Sequence, residues 1–459
     1  MNISPLFLRV WPGCEMAVWD RSDHITAWVL HEQGRWFESE MTMLPRLLEP
    51  GATFVDVGAN VGVYSIAAAH FVGPTGRVVA FEPTEEARSL LEASARRNGF
   101  EWLVIRSEAL SDHVGRAELF FDDETELASL SHSTSGAARS VSVPLNTLDA
   151  VHADLGLGRT NLLKIDVEGA EEAVLRGARE FLAASEPVIL HEIKVGTKVD
   201  LRVAKWLADA GFAAYRQIPG LDVLVPFALD GFVDPYQLNL FAVARSRAAE
   251  LAERGVLADK LGTVPDVGLD RGAVRLEKLP YARHLSARWQ GAPSADKRLW
   301  TALALHAYAH EEERAPAAER WAALERALSL ALERLNESAT VPRLLTVARL
   351  AAETGMRGLA VRTVRDALEV MRSGEADLLD EPFLLPDHSF ESVRPTGPAP
   401  GLVLYATLAA HERLRAFSSA FTGTEGIAEL RLADLFGYFD SEMSRRLKLL
   451  EQRAAIVAR

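Results

Sequence analysis

Cysteine is nearly absent from this chain: Cys14 stands alone among 459 residues. An intrachain disulfide and a cysteine-rich zinc site are therefore excluded. A solitary Cys reads as a small buried or half-buried side chain. Basic residues are also scarce. Lys and Arg number 50 against 64 Asp and Glu, giving a formal net charge of −14. No long Lys/Arg block offsets it, which argues against a nucleic-acid or anionic-membrane surface. Apolar runs long enough to cross a bilayer are missing, so no membrane span is expected. Met1 to Arg9 lack a basic stretch leading into an extended apolar core. No signal peptide is expected, and a cytoplasmic protein is the default.

The chain is too long for one ordinary core, so about two or three domains are expected. From about Phe54 to Ala244, short apolar runs alternate with amphipathic stretches. Strands are expected at 54–57, 77–82, 102–107, 161–166, 187–193 and 238–244. Helices are expected at 61–72, 84–98, 169–183 and 199–210. This rhythm predicts an α/β fold, a mostly parallel sheet with helices on both faces. Segment 112–148 breaks it: Ala117–Phe121 and Ser140–Pro144 alternate like exposed strands around a polar stretch. A hairpin or flap over one sheet edge, serving as a lid, is the expectation.

The composition changes near residue 246. Residues 1–245 form the first expected domain, with a short N-terminal extension. Residues 246–293 read as a linker with some local structure, and 294–459 as an α-helical domain. Trp321, Leu324, Leu328, Leu332 and Leu335 mark one helical stripe. Leu344–Glu353 and Leu359–Met371, broken at Gly355-Met356-Arg357-Gly358, read as a helix hairpin of loosely tetratricopeptide-like type without an exact repeat period. Residues 380–401, rich in proline, read as an extended loop before two more helices near 402–418 and 426–455. These helices are a candidate platform for substrate, a protein partner or self-association.

The strongest chemical signal is Asp56-Val57-Gly58-Ala59-Asn60-Val61-Gly62, a strand end, a tight turn and a helix start. The dinucleotide fingerprint G-x-G-x-x-G is absent. The turn instead suits S-adenosylmethionine, which has no phosphates. Gly58 lets the backbone approach the ligand, and Asp56 can hold its ammonium group. Glu82, which ends the next strand, can take both ribose hydroxyls. Glu108, past the third strand, can reach the adenine amino group or stand as an ordinary solvated carboxylate.

The fourth strand, Leu162-Leu163-Lys164-Ile165-Asp166, carries two charges of the same parity, so both project from one face. Lys164 has two readings, a catalytic side chain and half of a buried ion pair with Glu168, Glu192 or another carboxylate. The fifth strand ends in His191-Glu192-Ile193. His191 titrates near neutral pH and is a natural general base.

These segments together resemble the FkbM family of S-adenosylmethionine-dependent methyltransferases. The likeness rests on Asp56 to Gly62 (Asn60 included), Ala80-Phe81-Glu82-Pro83, Leu163-Lys164-Ile165-Asp166-Val167-Glu168-Gly169-Ala170-Glu171 and Val174 to Ala178. Leu145 to Asp149 and Leu238 to Val243 also fit. It covers roughly residues 35–245 and implies a class I methyltransferase (Rossmann-like) fold with seven strands, the last antiparallel. It also implies O-methylation of a hydroxyl on a sugar, glycan or natural-product acceptor. His191 is the less universal element of the pattern.

The expected chemistry is direct displacement at an already activated methyl group. Alignment contributes more than proton removal, because well-oriented groups reach effective molarities of about 10⁵–10⁸ M. A positioned base adds about 10²–10⁴-fold. Asp166 is the first candidate for base or orienting carboxylate, and His191 the second. Glu168 and Glu192 orient them. Asp166, Glu168 and Glu192 could also form an oxygen-ligand site for Mg²⁺ or Ca²⁺. N-methylation of a peptide amide is the alternative reaction. Three rivals are weighed: a nicotinamide-dependent dehydrogenase, a nucleic-acid methyltransferase, and a non-catalytic cofactor-binding scaffold docking partners through its helices. The first lacks its glycine fingerprint and the second its basic groove. The third would have lost Asp56, Gly58 or Glu82, and all three are present.

Overall fold

The computed structural model describes residues 5–20, 24–121, 128–129, 139–195, 198–289, 296–373 and 379–457. Residues 1–217, 226–233 and 237–256 group into one compact unit; 218–225, 234–236 and 257–459 group into a second.

Seven strands carry the first unit: β1 Thr53–Val57, β2 Arg77–Phe81, β3 Leu103–Arg106, β4 Leu162–Ile165, β5 Val188–Glu192, β6 Phe212–Ile218 and β7 Asn239–Ala244. They are seven of the eight strands of one sheet, one more than the seven expected, and lie in the order β6-β7-β5-β4-β1-β2-β3. β7 runs antiparallel to both its neighbours, and the pairs from β5 to β3 are parallel. This is the class I methyltransferase sheet. Its central strands are mostly apolar because both faces are covered, with Asp56, Lys164, His191 and Glu192 the ionisable exceptions. Val55, Val57, Val79, Phe81, Leu163, Ile165 and Ile189 pack on one face against Val174, Leu175, Phe181, Leu182, Val203 and Leu207. The opposite parity, Phe54, Asp56, Lys164 and Leu190, faces the other way.

Strand β6 escaped the sequence reading because Phe212-Ala213-Ala214-Tyr215-Arg216-Gln217-Ile218 mixes polar residues into a weakly alternating run. The helix expected at 169–183 is two, Glu171–Arg176 and Arg179–Ser185. They part at Gly177, where a side chain would meet the Ser111 carbonyl at 2.0 Å.

The N-terminal extension is itself folded. Leu6–Val10 and Cys14–Val18 pair antiparallel. The Ala17 N–H donates to Ser94 Oγ at 2.9 Å, and the Glu15 N–H to Asn98 Oδ1 at 3.0 Å, which ties the hairpin to helix Glu85–Asn98. Cys14 is buried there, and burial pushes its thiol up to about 11.

The inserted segment forms a small separate sheet. Gly115–Phe121 pairs antiparallel with Arg139–Asn146, as the alternation predicts. Most of the polar stretch between them, and with it the lid reading, lies outside the described residues.

In the second unit, Lys297–Glu311, Ala317–Glu337, Val341–Glu353 and Arg357–Arg372 pack as successive helices, followed by Ala399–Arg415. Gly355, at φ +81°, turns the chain between the third and fourth. The last expected helix is two, Ile427–Asp434 and Ser441–Val457. The segment read as a linker contains helices Ala248–Glu253, Asp270–Lys278 and Pro280–Leu285. Leu276, Tyr281 and Leu285 give these short helices buried faces despite their lack of period. The proline-rich loop is likewise anchored by Phe383, Leu384, Leu385 and Phe390. No helix among the described residues is long and apolar enough to cross a membrane.

Candidate active site

Asp56 ends β1 almost fully buried, at 1% exposure. One carboxylate oxygen accepts from Ser65 Oγ at 2.6 Å; the other has no hydrogen-bond partner among the described residues. Burial raises the Asp56 pKa, opposed by the nearby Lys164 charge. A buried acceptor without a donor is costly, so Asp56 is built to receive one.

The glycines of the turn are explained by neighbours in the protein. Gly58 sits at φ +83°, and a Cβ on it would lie 1.8 Å from the Asp166 carbonyl oxygen. It is glycine because the chain just past β4 occupies the space a Cβ would need. Gly62, at φ +91°, would place a Cβ 2.2 Å from Leu91 Cδ1, so it admits helix Glu85–Asn98. Between them Asn60 takes a positive φ of 50°, donates its N–H to Glu82 Oε2 at 2.8 Å, and caps the Val61 N–H with its own side chain.

Glu82 is 6% exposed. Its Oε1 accepts from the Thr84 N–H at 2.8 Å and Thr84 Oγ1 at 2.6 Å. With the Asn60 bond, this carboxylate fixes the turns after β1 and β2 together. Each carboxylate oxygen offers about two lone-pair sites, so Oε2 retains one for a hydroxyl. Burial raises the Glu82 pKa, against the Thr84 and Asn60 hydrogen bonds. Glu108 is instead engaged by Arg106, whose Nε and Nη2 reach Oε1 at 2.9 and 2.5 Å. It is an ion-paired carboxylate.

The ends of β4 and β5 bring together much of what the sequence nominated. Asp166, Glu168 and Glu192 place carboxylate oxygens within 4.8 Å of one another. Lys164 Nζ lies 2.8 Å from Asp166 Oδ2 and 5.0 Å from the Tyr64 ring centroid. Its partner is thus Asp166, two residues along the same strand face. Burial alone would lower the Lys164 pKa; Asp166, Asp56 and Glu38 outweigh it and hold the ammonium above its ordinary range. The carboxylates crowd each other. Burial, Asp166 and Glu171 push Glu168 to about 7, and burial, Asp166, Glu168 and Glu38 push Glu192 to about 8. Glu168 is held at φ +46°, a conformation that costs a non-glycine residue about 1–2 kcal/mol.

His191 stands apart from them. It pairs in register with Ile165, so it points to the opposite sheet face from Lys164. It is 1% exposed, its Nδ1 lies 3.2 Å from the Glu192 carbonyl oxygen, and Nε2 has no partner among the described residues. Burial lowers its pKa to about 4. The second candidate for general base is thus a neutral core side chain.

A family comparison supports the same conclusion from a different direction. The model of the methyltransferase FkbM domain matches residues 56–213. Over that span the chain is similar to the FkbM methyltransferase domain. Two curated proteins are similar to this chain. The AMB antimetabolite synthetase AmbE of Pseudomonas aeruginosa is 32% identical over 247 residues, 45% of this chain and 11% of AmbE. The 31-O-demethyl-FK506 methyltransferase FkbM of Streptomyces tacrolimicus is 30% identical over 162 residues, 29% of this chain and 62% of that protein. The chain thus spans less than two thirds of either relative. Among solved structures, methyltransferase FkbM from Methylobacillus flagellatus aligns at a TM-score of 0.31 and 17% identity, covering 45% of this chain and 48% of that one.

Outside the matched span, two further acids join the site. Glu38 accepts a short hydrogen bond from Tyr64 Oη and feels both Lys164 and Asp166. Glu40 is 6% exposed and is raised to about 7 by burial and by Glu38. Asn239 of β7, in register with Glu192, opposes the rise of the Glu40 pKa. The sequence reading named none of the three. Glu38 and Glu40 precede every motif, at the start of the short 3₁₀ helix Ser39–Met43, so only the polar-apolar run Trp36-Phe37-Glu38-Ser39-Glu40 hinted at them.

Proposed function

We propose that the first unit binds S-adenosylmethionine and transfers its methyl group to a hydroxyl of a sugar, glycan or natural-product acceptor. The convergence of Asp166, Glu168 and Glu192 at the carboxyl ends of β4 and β5 carries this reading. Open α/β sheets bind ligands at that edge. The named activity of the Streptomyces relative, on an O-demethyl compound, supports oxygen as the acceptor atom.

The residues present suit the cofactor. The unpartnered Asp56 oxygen would receive an ammonium or a bridging water, and Glu82 would take ribose hydroxyls while it holds the two turns. Gly58, Asn60 and Gly62 shape the turn, and Glu108 borders it with Arg106. The sulfonium supplies an activated methyl group when bound. The protein's task is to orient the acceptor and take its proton. Asp166, fixed by Lys164, orients the hydroxyl. Glu192 and Glu168, poised near neutral pH, are better matched to proton removal than an ordinary carboxylate. His191 has no part in the step. The Lys164 ammonium supplies counter-charge, so no Mg²⁺ or Ca²⁺ enters the reading. The second unit serves as a platform for acceptor or partner.

The test is isotope-labelled methyl transfer from S-adenosylmethionine into extracts of the native host, with the labelled product identified. An O-methyl ether is expected. A labelled peptide amide would replace the acceptor class, and absence of cofactor binding by calorimetry would overturn the reading.

A further inference from the structure

Two histidines one turn apart on helix Lys297–Glu311 aim at a single carboxylate. His306 Nε2 and His310 Nε2 each lie 3.1 Å from Glu353 Oε2, at the end of helix Val341–Glu353. Their rings lie 4.6 Å apart, tilted by 55°. All three ligand atoms fall within 4.8 Å of one another. The (i, i+4) spacing puts the two imidazoles on one helix face. A zinc ion with ligands at about 2.0–2.1 Å in a tetrahedron has ligand–ligand edges of about 3.3 Å. Two of the three edges here are already within a few tenths of that.

The surroundings resemble those of a built site. Glu353 Oε1 is taken by Arg349, which leaves Oε2 for the histidines. Arg349 is itself held by Glu391 at 2.9 Å and the Leu385 carbonyl at 3.2 Å. Ligating carboxylates typically have such outer hydrogen bonds. The Glu353 backbone is pinned too, its carbonyl accepting from the Gly220 N–H at 2.9 Å. His306 is fully buried, whereas the His310 side chain is 21% exposed and opens a way in from solvent.

We propose that His306, His310 and Glu353 bind one divalent ion of the zinc class, with the fourth position open to an external ligand. Two imidazoles and one carboxylate favour zinc over Mg²⁺ or Ca²⁺, which prefer oxygen alone. A metal would take the Nε2 lone pair of each ring and leave Nδ1 to carry that ring's proton. His306 Nδ1 has no partner among the described residues in either tautomer. It therefore does not discriminate between metal and a pair of plain hydrogen bonds. The ion would fasten the helix of the histidines to that of Glu353. This site is independent of the methyl-transfer reading.

The test uses the full chain. Zn²⁺ titration by calorimetry should show a site that His310→Ala weakens at least about tenfold. Cu²⁺ loaded into the wild type should show electron paramagnetic resonance coupling to two nitrogens. The spectrum separates this site from His411, Glu412 and Glu429, which offer one nitrogen, and from Asp166, Glu168 and Glu192, which offer none. It also decides the matter if His310→Ala fails to fold. No metal uptake, copper bound through fewer than two nitrogens, or a folded His310→Ala that binds zinc as the wild type does would each overturn the proposal.

Discussion

A side chain on Gly58 would collide with the Asp166 backbone: an added Cβ stands 1.8 Å from that carbonyl oxygen. The turn after β1 and the end of β4 are thus interlocked through a missing atom. Gly58→Ala also forces a left-handed φ on a residue with a Cβ, at about 1–2 kcal/mol. With the clash added, a loss of at least about 2 kcal/mol is expected, read as a lower urea midpoint for the first unit. An unchanged midpoint would show that β4 can move aside.

Glu82→Gln should weaken S-adenosylmethionine. The substitution turns one end atom into a donor facing an Asn60 or Thr84 N–H. It also removes a charged acceptor from the ribose hydroxyls. A hydrogen bond to a charged group contributes about 1.5–3 kcal/mol, so calorimetry should show an affinity loss of about 10–150-fold. Equal affinity would move the ribose elsewhere.

For Asp166→Asn, cofactor affinity should stay near the wild type while methyl transfer drops by about 10²–10⁴-fold. Asparagine keeps the shape but neither balances Lys164 at 2.8 Å nor accepts a proton at neutral pH. His191→Ala should leave the pH profile of turnover unshifted, because that ring faces the core. Full turnover by Asp166→Asn would remove this carboxylate from the mechanism.

Glu192 makes the pH dependence testable. Its folded pKa of about 8 lies above the ordinary 4.5. Between those values the folded chain holds a proton that the unfolded chain has released, so this group's contribution to stability falls as pH rises through that window. A tenfold difference in proton affinity between the folded and unfolded chain corresponds to about 1.4 kcal/mol. Mutual repulsion with Asp166 and Glu168 spreads the effect, so Glu192→Gln should stabilise the protein by about 1–3 kcal/mol at pH 9 and little at pH 4. Methyl transfer should rise between pH 7 and 8 in the wild type and lose that rise in the variant. Thermal melts at the two pH values and a rate profile measure both.

Protease is expected to cut first just past residue 256, where the long segment of the second unit begins. Residues 261–268 have no regular structure, and the neighbouring Lys260 is exposed. Trypsin should cut there before it cuts within 54–110. Early cleavage inside β1 to β3 would refute this division.

The sequence determined the parallel strands of the sheet, its antiparallel β7 and its motifs, but not β6. Runs such as Thr53–Val57 and Leu162–Ile165 are buried on both faces, so apolar content alone marks them, and helix periodicity fills the gaps between. The parity of Lys164 and Asp166 correctly put both on one face, because alternation along a strand is fixed by the pleat. The same rule separates His191 from Glu192, but the direction of each face depends on which helices cover the sheet. Only the folded chain showed that His191 enters the core. Tertiary structure alone also brought Glu38 to Lys164, since nothing local to that residue encodes a partner more than 100 residues away. Similarly, the glycines of the turn were legible as glycines, but what fills the space beside them is decided by distant segments: the Asp166 carbonyl for Gly58 and the Leu91 side chain for Gly62. Spacing is local and can be read from one strand or helix; contact between distant segments is set by packing, and only the packed chain reveals it.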